Sequence, residues 1–312
     1  MKVYQYTDQL PYFKNAVITI GTFDGVHQGH RQIIHHLREV ASEVSGETVI
    51  ITFHPHPRSI LQHQDVQLIN TMEERIRLLD AAGIDNLVIV PFTDAFSQLT
   101  AEQYVEHFLV EHFHPHTIII GYDHRFGHGR KGDYRMLEAY AASGLFQLRE
   151  IPEHLINNNA VSSTRIRKSI LHGQIEEANR LLGYPFFFSG TVVHGKKLGR
   201  RLGYPTANIY LSQTAKLVPS NGIYAVTASI DNTDSVLHKG MMSIGIRPTI
   251  GGTERTIEVN LFDFDKDIYD LQVEINVHAY LRAEEKFDDL ALLTEQIGRD
   301  KVAALDVLGI VQ

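Results

Sequence analysis

The chain has 312 residues, more than one compact core usually encloses, so its length predicts two domains. Hydrophobic residues make up 43% of it and charged residues 21%, which is typical of globular proteins and excludes a disordered or low-complexity chain. The net charge of −8 argues against extended binding of nucleic acid, which requires a basic surface. Because the chain has no cysteine, disulfides, thiolate metal sites and a cysteine nucleophile are excluded.

No stretch approaches the roughly 20 apolar residues that a membrane-spanning helix needs. The amino-terminal segment MKVYQYTDQLPYFKN has no apolar region followed by a small-residue cleavage site, so no secretory signal is expected. We therefore expect a cytoplasmic protein that binds small molecules, not nucleic acids or membranes. We expect it to be a monomer or a weak homo-oligomer.

In the first half of the chain, short apolar runs alternate with helical patterns. The runs are β-branched and nearly continuous, which is typical of strands buried on both faces of a parallel sheet. They lie at residues 16–20, 48–53, 87–90 and 117–120. Capping-box sequences beginning at Thr71 and Thr100 predict helix starts between them. The alternation predicts a doubly wound, Rossmann-like α/β domain over residues 1–183, with ligands at the carboxyl ends of its strands.

The segment GTFDGVHQGH at residues 21–30 follows the first of these strands and leads into a helix. Its glycines allow close approach to a ligand, and the helix start offers free N–H groups and a partial positive charge. His27 and His30 are three residues apart, so both imidazoles point to the same side of the first helical turn. Such a pair suits the charge that develops when a phosphate is attacked. The alternative is a simple helix cap with two surface histidines.

A second segment, SSTRIRK at residues 162–168, places hydroxyl groups at a helix start and cations in its first turns. Cations oppose the helix dipole there, so the pattern predicts an anion held between Arg165, Arg167 and Lys168. The alternative is an ordinary helix cap with solvated charges.

After residue 185 the pattern changes to short strands without helices between them. They are predicted at residues 186–193, 223–230, 239–244, 255–264 and 272–280. An apolar helical stripe containing Leu290, Leu293 and Ile297 follows. The second half, residues 186–312, is therefore expected to form an antiparallel β-barrel with a terminal helix.

The barrel half carries two polar groups that suggest phosphate chemistry. The loop with Gly195, Lys197 and Gly199 can cradle phosphates through its backbone N–H groups, or it is a basic surface hairpin. In the sequence PTAN, the oxygens of Thr206 and Asn208 suit Mg²⁺ that keeps water and phosphates as its other ligands. Glu258 lies on the polar face of a strand and is either solvated or a general base.

The motifs of the first half, taken in order, resemble the adenylyltransferase module of prokaryotic bifunctional riboflavin kinase/FAD synthetases. They are GTFDGVHQGH, F-x-PHPR, G-x-D-x-RFG and SSTRIR. The resemblance implies catalysis by His27 and His30 and nucleotide binding by a set of residues around them. That set is Gly21, Phe23, Asp24, Gly29, Ser163, Thr164 and Arg167. It also implies flavin binding by His56, Asp123, Arg125 and Phe126.

The second half resembles the riboflavin kinase module of the same enzymes. The similar segments are GRRLGYPTANI, NGIYAV, SIGIRPTIGG, TIEVNLFDF, LRAEEKF and QIGRDKVAAL. The resemblance implies that Thr206 and Asn208 bind Mg²⁺ and phosphates and that Glu258 is the base. Gly195, Lys197 and Gly199 would bind nucleotide. Arg247, Arg282 and Glu285 would contact flavin.

The resemblance therefore implies two ATP-dependent reactions, riboflavin to FMN and FMN to FAD with release of pyrophosphate. One alternative is a nucleotidyltransferase with another phosphate acceptor, the barrel being accessory. A second is a flavin-binding or regulatory protein without activity. A third is a zinc protein, suggested by the 18 histidines and by HFHPH at residues 112–116. The proline and the lack of an acidic residue at suitable spacing oppose zinc.

Overall fold

The protein is described by a computed structural model that covers residues 1–6, 9–63, 65–121, 124–151, 161–195, 198–231, 236–249 and 252–310. The chain divides into two compact units, Met1–Ser162 and Ser163–Gln312. Among the described residues, no helix combines the length and the apolar character needed to cross a bilayer.

In the described part of the first unit, six parallel strands form one sheet. They are β1 (Lys2–Gln5), β2 (Val17–Ile20), β3 (Thr48–His54), β4 (Asn86–Pro91), β5 (Thr117–Ile120) and β6 (Gln147–Glu150). Their order across the sheet is β1-β4-β3-β2-β5-β6, with parallel pairing at each step. This arrangement is the doubly wound α/β fold expected from the sequence.

Helices connect the strands, and two of them begin at the predicted caps. They are α1 (Gln28–Glu43), α2 (Pro57–Gln62), α3 (Met72–Ala81), α4 (Asp94–Ser97), α5 (Ala101–Gln103), α6 (Glu111–Phe113) and α7 (Tyr134–Ala142). A π-helix, Tyr104–Val110, joins α5 to α6. Thr71 and Thr100 each form the capping box that the sequence predicts, because both reciprocal side-chain bonds are present.

Successive residues of each central strand enter cores on opposite faces of the sheet. Ile18 belongs to a core with Val49 and Ile51, whereas Val17 belongs to a second core with Ile50. All five side chains are fully buried. The nearly continuous apolar runs therefore reflect a sheet that is covered on both faces.

The strand order reverses at β2. From β2 the chain proceeds outward through β3 and β4 on one side, and it later returns to place β5 on the other side. Ligands of open α/β sheets bind where the order reverses, at the carboxyl ends of the strands. In this unit the segment at that position is residues 21–27.

The second unit is built around a closed antiparallel barrel. Its strands, within the described residues, are β7 (Phe186–Val193), β8 (Ala207–Tyr210), β9 (Gly222–Ile230), β10 (His238–Thr249), β11 (Gly252–Leu261) and β12 (Gln272–Arg282). The order around the barrel is β10-β11-β8-β7-β12-β9, and β9 pairs with β10 to close it. The predicted antiparallel barrel is confirmed.

Four helices of the described chain belong to this unit: α8 (Ser163–Leu171), α9 (Ile175–Leu182), α10 (Leu198–Arg201) and α11 (Leu290–Ile310). Helix α11 is the predicted terminal helix, and its Ala304 and Leu308 pack on Met241 of β10. Asn179 of α9 bonds to the barrel twice: it donates to the carbonyl of Val277 (2.9 Å) and accepts from the N–H of Phe186 (2.7 Å).

Candidate active sites

The loop after β2 holds an unusual backbone. Phe23 and Val26 have φ angles of +47° and +32°, and Gly25 has +92°. A left-handed conformation is strained for a β-branched residue such as Val26, and strain of this kind concentrates at functional sites. The N–H of Val26 donates to the carbonyl of Phe23 (3.1 Å), which closes the turn. The turn delivers His27 to the start of α1.

His27 is the cap of helix α1, and its ring lies against that of His30. The N–H of His30 donates to Nδ1 of His27 (3.3 Å), and the two rings stack with centroids 3.7 Å apart at 13°. A Cβ atom on Gly29 would lie 3.3 Å from the His27 ring, so the glycine leaves room for this stacking. The structure thus brings together the two histidines that the sequence pairs.

The histidines are electrically neutral at neutral pH. Burial lowers the pKa of His27 to about 4, although Asp24 opposes the shift. Burial also lowers the pKa of His30 well below its usual range, and repulsion from His27 in its protonated form and from the Arg75 guanidinium adds to the effect. Because Nδ1 of His27 accepts a backbone N–H, its proton lies on Nε2, which is the donor available to a ligand.

His30 offers a second sign of a ligand site. Its Nδ1 atom is shielded from solvent and has no hydrogen-bond partner among the described residues. Buried polar atoms are nearly always bonded, so a partner is expected from a bound molecule.

Three other residues of this loop that were predicted to bind nucleotide have different surroundings. Phe23 is buried and packs on the His30 ring with centroids 5.0 Å apart. A Cβ atom on Gly21 would lie 3.1 Å from the Phe23 ring, so Gly21 lies beside that ring. Asp24 is fully buried and accepts the N–H groups of Ile69 (3.2 Å) and Asn70 (3.0 Å).

Three predicted flavin residues of the first unit lie within the described chain. His56 caps α2 through Nδ1, which accepts the N–H of Arg58 (3.1 Å). Arg125 is exposed and paired with Asp133 (2.9 Å). Phe126 is 5% exposed and stacks on Tyr104 in the core. The predicted Asp123 lies outside the described residues.

The predicted phosphate-binding residues Ser163, Thr164 and Arg167 lie in the first turns of α8, in the second unit. Thr164 is exposed, and Ser163 and Arg167 are half-buried. Their neighbour Arg165 pairs with Glu177 of α9 (2.6 Å). One of the cations that the sequence suggested for an anion is therefore balanced by a carboxylate of the protein itself.

In the second unit, Thr206, Asn208 and Glu258 form one cluster. The hydroxyl of Thr206 donates to Oε2 of Glu258 at 3.1 Å. Asn208 lies directly opposite Glu258 in the β8–β11 register, so their side chains share a face of the barrel. All three side chains are half-buried. The strands thus place a hydroxyl, an amide and a carboxylate together, as the sequence predicted.

The glycines of the preceding loop allow close approach to this cluster. Asn208 lies so near Gly195 that a Cβ atom there would overlap its amide group. A Cβ atom on Gly199 would clash with the carbonyl of Tyr204 and lie 3.3 Å from the Thr206 hydroxyl. Gly195 therefore lies against Asn208, and Gly199 lies against Thr206. Lys197, the predicted cation of this loop, lies outside the described residues.

Three cavities adjoin the cluster. One, of about 260 Å³ and called the apolar cavity below, is lined by Thr206 and Glu258 together with Leu202, Ile223, Met241, Phe287, Leu293 and Ile297. It also carries the charged residues Arg282, Glu284, Glu285 and Asp300. A second, of about 540 Å³, also touches Thr206, and a third, of about 660 Å³, touches Asn208 and Glu258. Thr206 and Glu258 therefore stand at the junction of separate binding spaces.

Arg282 lines the apolar cavity and is held by the terminal helix. Its guanidinium binds both carboxylate oxygens of Asp300, at 2.8 and 2.7 Å. Glu285 is exposed and lines the same cavity. Arg247 lies on β10, and its side chain is outside the described part of the structure.

Sequence reasoning missed two polar residues of this site, Asp300 and Asn260. Asn260 is buried on β11 and donates to the carbonyl of Pro205 (2.6 Å), which fixes the start of the PTAN segment. Asn260 is two residues after Glu258 on the same strand, so both side chains point to the same face, and this spacing could have identified it from the sequence. Asp300 is 5% exposed in an otherwise apolar helical stripe, where a lone carboxylate indicates a buried partner.

The donors at this site are hard oxygen atoms. Among the described residues, no three His, Asp or Glu side chains are grouped so that they could hold a metal ion. Hydroxyl, amide and carboxylate oxygens suit Mg²⁺ when phosphates and water complete its coordination. The cluster of Thr206, Asn208 and Glu258 fits that requirement.

Comparison with known proteins assigns both halves of the chain. Residues 10–165 match a family model described as FAD synthetase, and residues 182–308 match one described as riboflavin kinase. A crystal structure from Streptococcus pneumoniae, described as a macrolide-efflux protein, has the same fold. Its TM-score is 0.86 at 30% identity, with coverage of 97% of this chain and 98% of that one.

Curated relatives carry one common name, bifunctional riboflavin kinase/FMN adenylyltransferase. The protein of Listeria monocytogenes is 35% identical over 92% of this chain and 90% of its own length. That of Buchnera aphidicola from Schizaphis graminum is 36% identical over 92% of both chains. These matches agree with two features of the structure. One is the strained loop with its two histidines, and the other is the Thr206–Glu258 cluster in a barrel. The chain belongs to the family of bifunctional riboflavin kinase/FMN adenylyltransferases.

Proposed function

We propose that this chain makes FAD from riboflavin in two ATP-dependent steps, at two separate sites. The barrel unit transfers the γ-phosphoryl group of ATP to the 5′-hydroxyl of riboflavin and releases ADP. The site after β2 transfers the AMP group of a second ATP to the FMN phosphate and releases pyrophosphate. We place the enzyme in the cytoplasm, as a monomer or weak homo-oligomer with small-molecule substrates and no nucleic-acid or membrane partner.

The hydrogen bond between Thr206 and Glu258 is the observation that carries the kinase assignment. It holds the carboxylate beside Thr206, which lines both the cavity of about 260 Å³ and the cleft of about 540 Å³. Glu258 accepts the proton of the riboflavin hydroxyl while the hydroxyl oxygen bonds to the γ-phosphorus and the bond to the ADP oxygen breaks. The Thr206 bond keeps the carboxylate oriented toward the incoming hydroxyl.

The two spaces suit the two substrates. The cavity with Met241, Phe287 and Ile297 offers apolar surface to an isoalloxazine ring. The cleft of about 540 Å³, which Thr206 also lines, has the cations Arg200 and Lys266 and the ring of Tyr269, which suit phosphates and a base. It also contains the carboxylates of Asp265 and Asp267. We place riboflavin in the first and ATP in the second.

Thr206 and Asn208 would hold Mg²⁺ through their side-chain oxygens, together with phosphate oxygens of ATP. A bound Mg²⁺ neutralises charge on the β- and γ-phosphates. The Gly195 and Gly199 backbone, which closely covers this cluster, would complete the phosphate cradle together with Lys197.

In the first unit, the FMN phosphate is already an anion and attacks the α-phosphorus without a general base. His27 and His30 act as neutral N–H donors that position the α-phosphate and stabilise the charge that develops on it. The buried, unbonded Nδ1 of His30 supports a ligand at this position. The conformation of this loop depends on Gly21, Phe23, Asp24 and Gly29. The flavin of FMN is bound by His56, Asp123, Arg125 and Phe126.

We assign residues 1–183 to adenylylation and residues 186–312 to phosphorylation. On this assignment Ser163, Thr164 and Arg167 hold the β- and γ-phosphates during AMP transfer, although α8 packs within the barrel unit. The match to the FAD synthetase family extends to residue 165, which supports this extension beyond the first compact unit.

The test is to incubate the purified chain with riboflavin and Mg-ATP and to separate the flavins by chromatography. We expect FMN to appear first and FAD to follow. Absence of both products would overturn the proposal, and FMN without FAD would overturn the assignment of the first unit.

Single substitutions separate the two sites. Glu258→Ala should abolish FMN formation and leave the conversion of added FMN to FAD intact, and His30→Ala should do the reverse. The exposed Glu295 of α11 provides a matched control, since Glu295→Ala should leave both reactions unchanged. Loss of both activities in either folded site variant would contradict two independent sites.

A further inference from the structure

A buried polar network lies beneath the loop that carries the two histidines. Asp24 of the loop and Arg75 of α3 are 0% and 2% exposed, and Nη2 of Arg75 lies 3.7 Å from Oδ1 of Asp24. Removing one partner of a buried ion pair leaves an uncompensated charge, so Asp24 and Arg75 depend on each other in this position.

The contacts of Asp24 show what it holds. Its Oδ2 accepts the N–H of Ile69 at 3.2 Å, and its Oδ1 accepts the N–H of Asn70 at 3.0 Å and faces Arg75. Both carboxylate oxygens of Asp24 are therefore hydrogen-bonded within the protein, and the side chain is closed to solvent. The carboxylate ties the loop after β2 to the chain segment that leads into α3.

Arg75 continues the network to the sheet. Its Nη1 donates to the hydroxyl of Thr52 on β3 (3.4 Å), and that hydroxyl donates to the carbonyl of Thr22 (3.2 Å). Thr22 belongs to the same loop as Asp24. The loop is thus held at two points, at Thr22 through β3 and at Asp24 through α3, and the strained turn with Phe23 and Val26 lies around them.

We propose that Asp24 and Arg75 are positioning residues for AMP transfer, which hold the strained loop and the His27–His30 ring pair in place and do not contact the nucleotide. This inference rests on the proposed function of the first unit and changes the role that family resemblance gives to Asp24. Buried side chains fixed at both ends give the first turn of α1 the rigidity that precise alignment of a phosphate requires.

The kinetic test uses Asp24→Asn and Arg75→Met in the full chain, with FMN and Mg-ATP as substrates. We expect kcat for FAD formation to fall by at least about 10-fold while the KM for ATP stays within about twofold. A rise of KM for ATP with unchanged kcat would overturn the proposal, because it would show direct nucleotide binding by Asp24. Unchanged kinetics in both variants would also overturn it.

Three comparisons distinguish a loss of activity caused by misfolding from one caused by misplaced histidine rings. Arg77→Met alters an exposed arginine on the same helix and should leave FAD formation unchanged. The riboflavin kinase rate of each variant reports on the rest of the molecule, and it should stay at the level of the unsubstituted chain. Arg75→Lys keeps the charge and should recover part of kcat. A loss that simply follows the unfolded fraction in thermal melts would overturn the proposal.

A second readout does not depend on activity. Because the guanidinium field lowers the pKa of His30, Arg75→Met should raise that pKa in an imidazole NMR titration, whereas Arg75→Lys and Arg77→Met should not. The His27 and His30 ring resonances should also shift in Asp24→Asn. If the unsubstituted chain made no FAD, the proposed function would fail. The resonances would still decide whether the pair positions the rings, and unmoved resonances would count against it.

Discussion

The guanidinium of Arg282, at the end of β12, is held by both carboxylate oxygens of Asp300 on α11, at 2.8 and 2.7 Å. Gln296, one turn earlier on the helix, donates to the same carboxylate at 3.0 Å. Both Arg282 and Asp300 line the apolar cavity. The pair therefore joins the barrel to the helix that supplies Leu293 and Ile297 of the cavity wall.

Asp300→Asn should weaken riboflavin binding. Removing the charge from a bidentate, largely buried pair costs about 2 kcal/mol, and where riboflavin binding bears the whole cost the KM for riboflavin rises by about 30-fold. The measurement is steady-state kinase kinetics with varied riboflavin. Glu295→Gln, which breaks an exposed ion pair with Arg299 on the same helix, is the control and should change little. An unchanged KM in Asp300→Asn would contradict a role of the pair in shaping the cavity.

Thr206→Val should lower the kcat of the kinase by about 10- to 100-fold, because it removes the hydroxyl that orients Glu258 at 3.1 Å. FAD formation from added FMN should stay constant in the same preparation. Thr191 on β7 accepts a hydrogen bond from Gln272 on β12, and Thr191→Val is a matched substitution away from the cluster that should keep kinase activity. Equal losses in the two threonine variants would refute the orienting role.

Gly29→Ala should change stability and activity in opposite directions. Alanine favours a helix over glycine by about 1 kcal/mol, so the melting temperature should stay constant or rise. Its Cβ atom would press on the His27 ring at 3.3 Å, so FAD formation should slow. Gly309→Ala introduces a methyl group into open space on α11 and should leave both activities unchanged. Full adenylylation in Gly29→Ala would show that the ring stacking does not matter.

The two histidines predict a pH dependence of stability. Their pKa values are about 4 for His27 and well below the usual range for His30, whereas both side chains titrate near 6.5 in the unfolded chain. Between those values the unfolded state binds protons that the folded state does not. Stability of the first unit should therefore fall as the pH is lowered from about 6.5 to about 4, by up to roughly 1.4 kcal/mol per pH unit for each histidine.

Denaturant unfolding at several pH values measures this slope. His27→Gln should reduce it, since one of the two groups is removed. The same substitution on an exposed histidine, His35→Gln, should not. A slope that His27→Gln leaves unchanged would show that other groups control acid stability.

The central strands and the helix starts could be predicted because their signals are local. Continuous β-branched runs identify β2 to β5, and the capping box identifies α3 at Thr71. The edge strands β1 and β6 were missed because KVYQ and QLRE are short and polar, and only their pairing with β4 and β5 makes them strands.

The site residues divide in the same way. His27, His30, Thr206 and Asn208 lie within short motifs, so the sequence indicates both their identity and their proximity. Arg75 and Asp300 are ordinary charges in helical sequences, and their partners, Asp24 and Arg282, lie in other elements. Only the packing of α3 on the sheet and of α11 on the barrel makes these charges buried pairs.

The bonds of Asn179 to the carbonyl of Val277 and the N–H of Phe186 have a consequence for inactivation by heat. They fasten α9, and with it α8, to the barrel wall, so the helix that carries Ser163, Thr164 and Arg167 melts together with the kinase unit. A temperature that unfolds the barrel should therefore end kinase activity and unfold α8 and α9 at the same point. Hydrogen exchange measured during graded heating should lose protection in these helices and in the barrel strands together, and earlier exchange in α8 and α9 would show that they melt on their own.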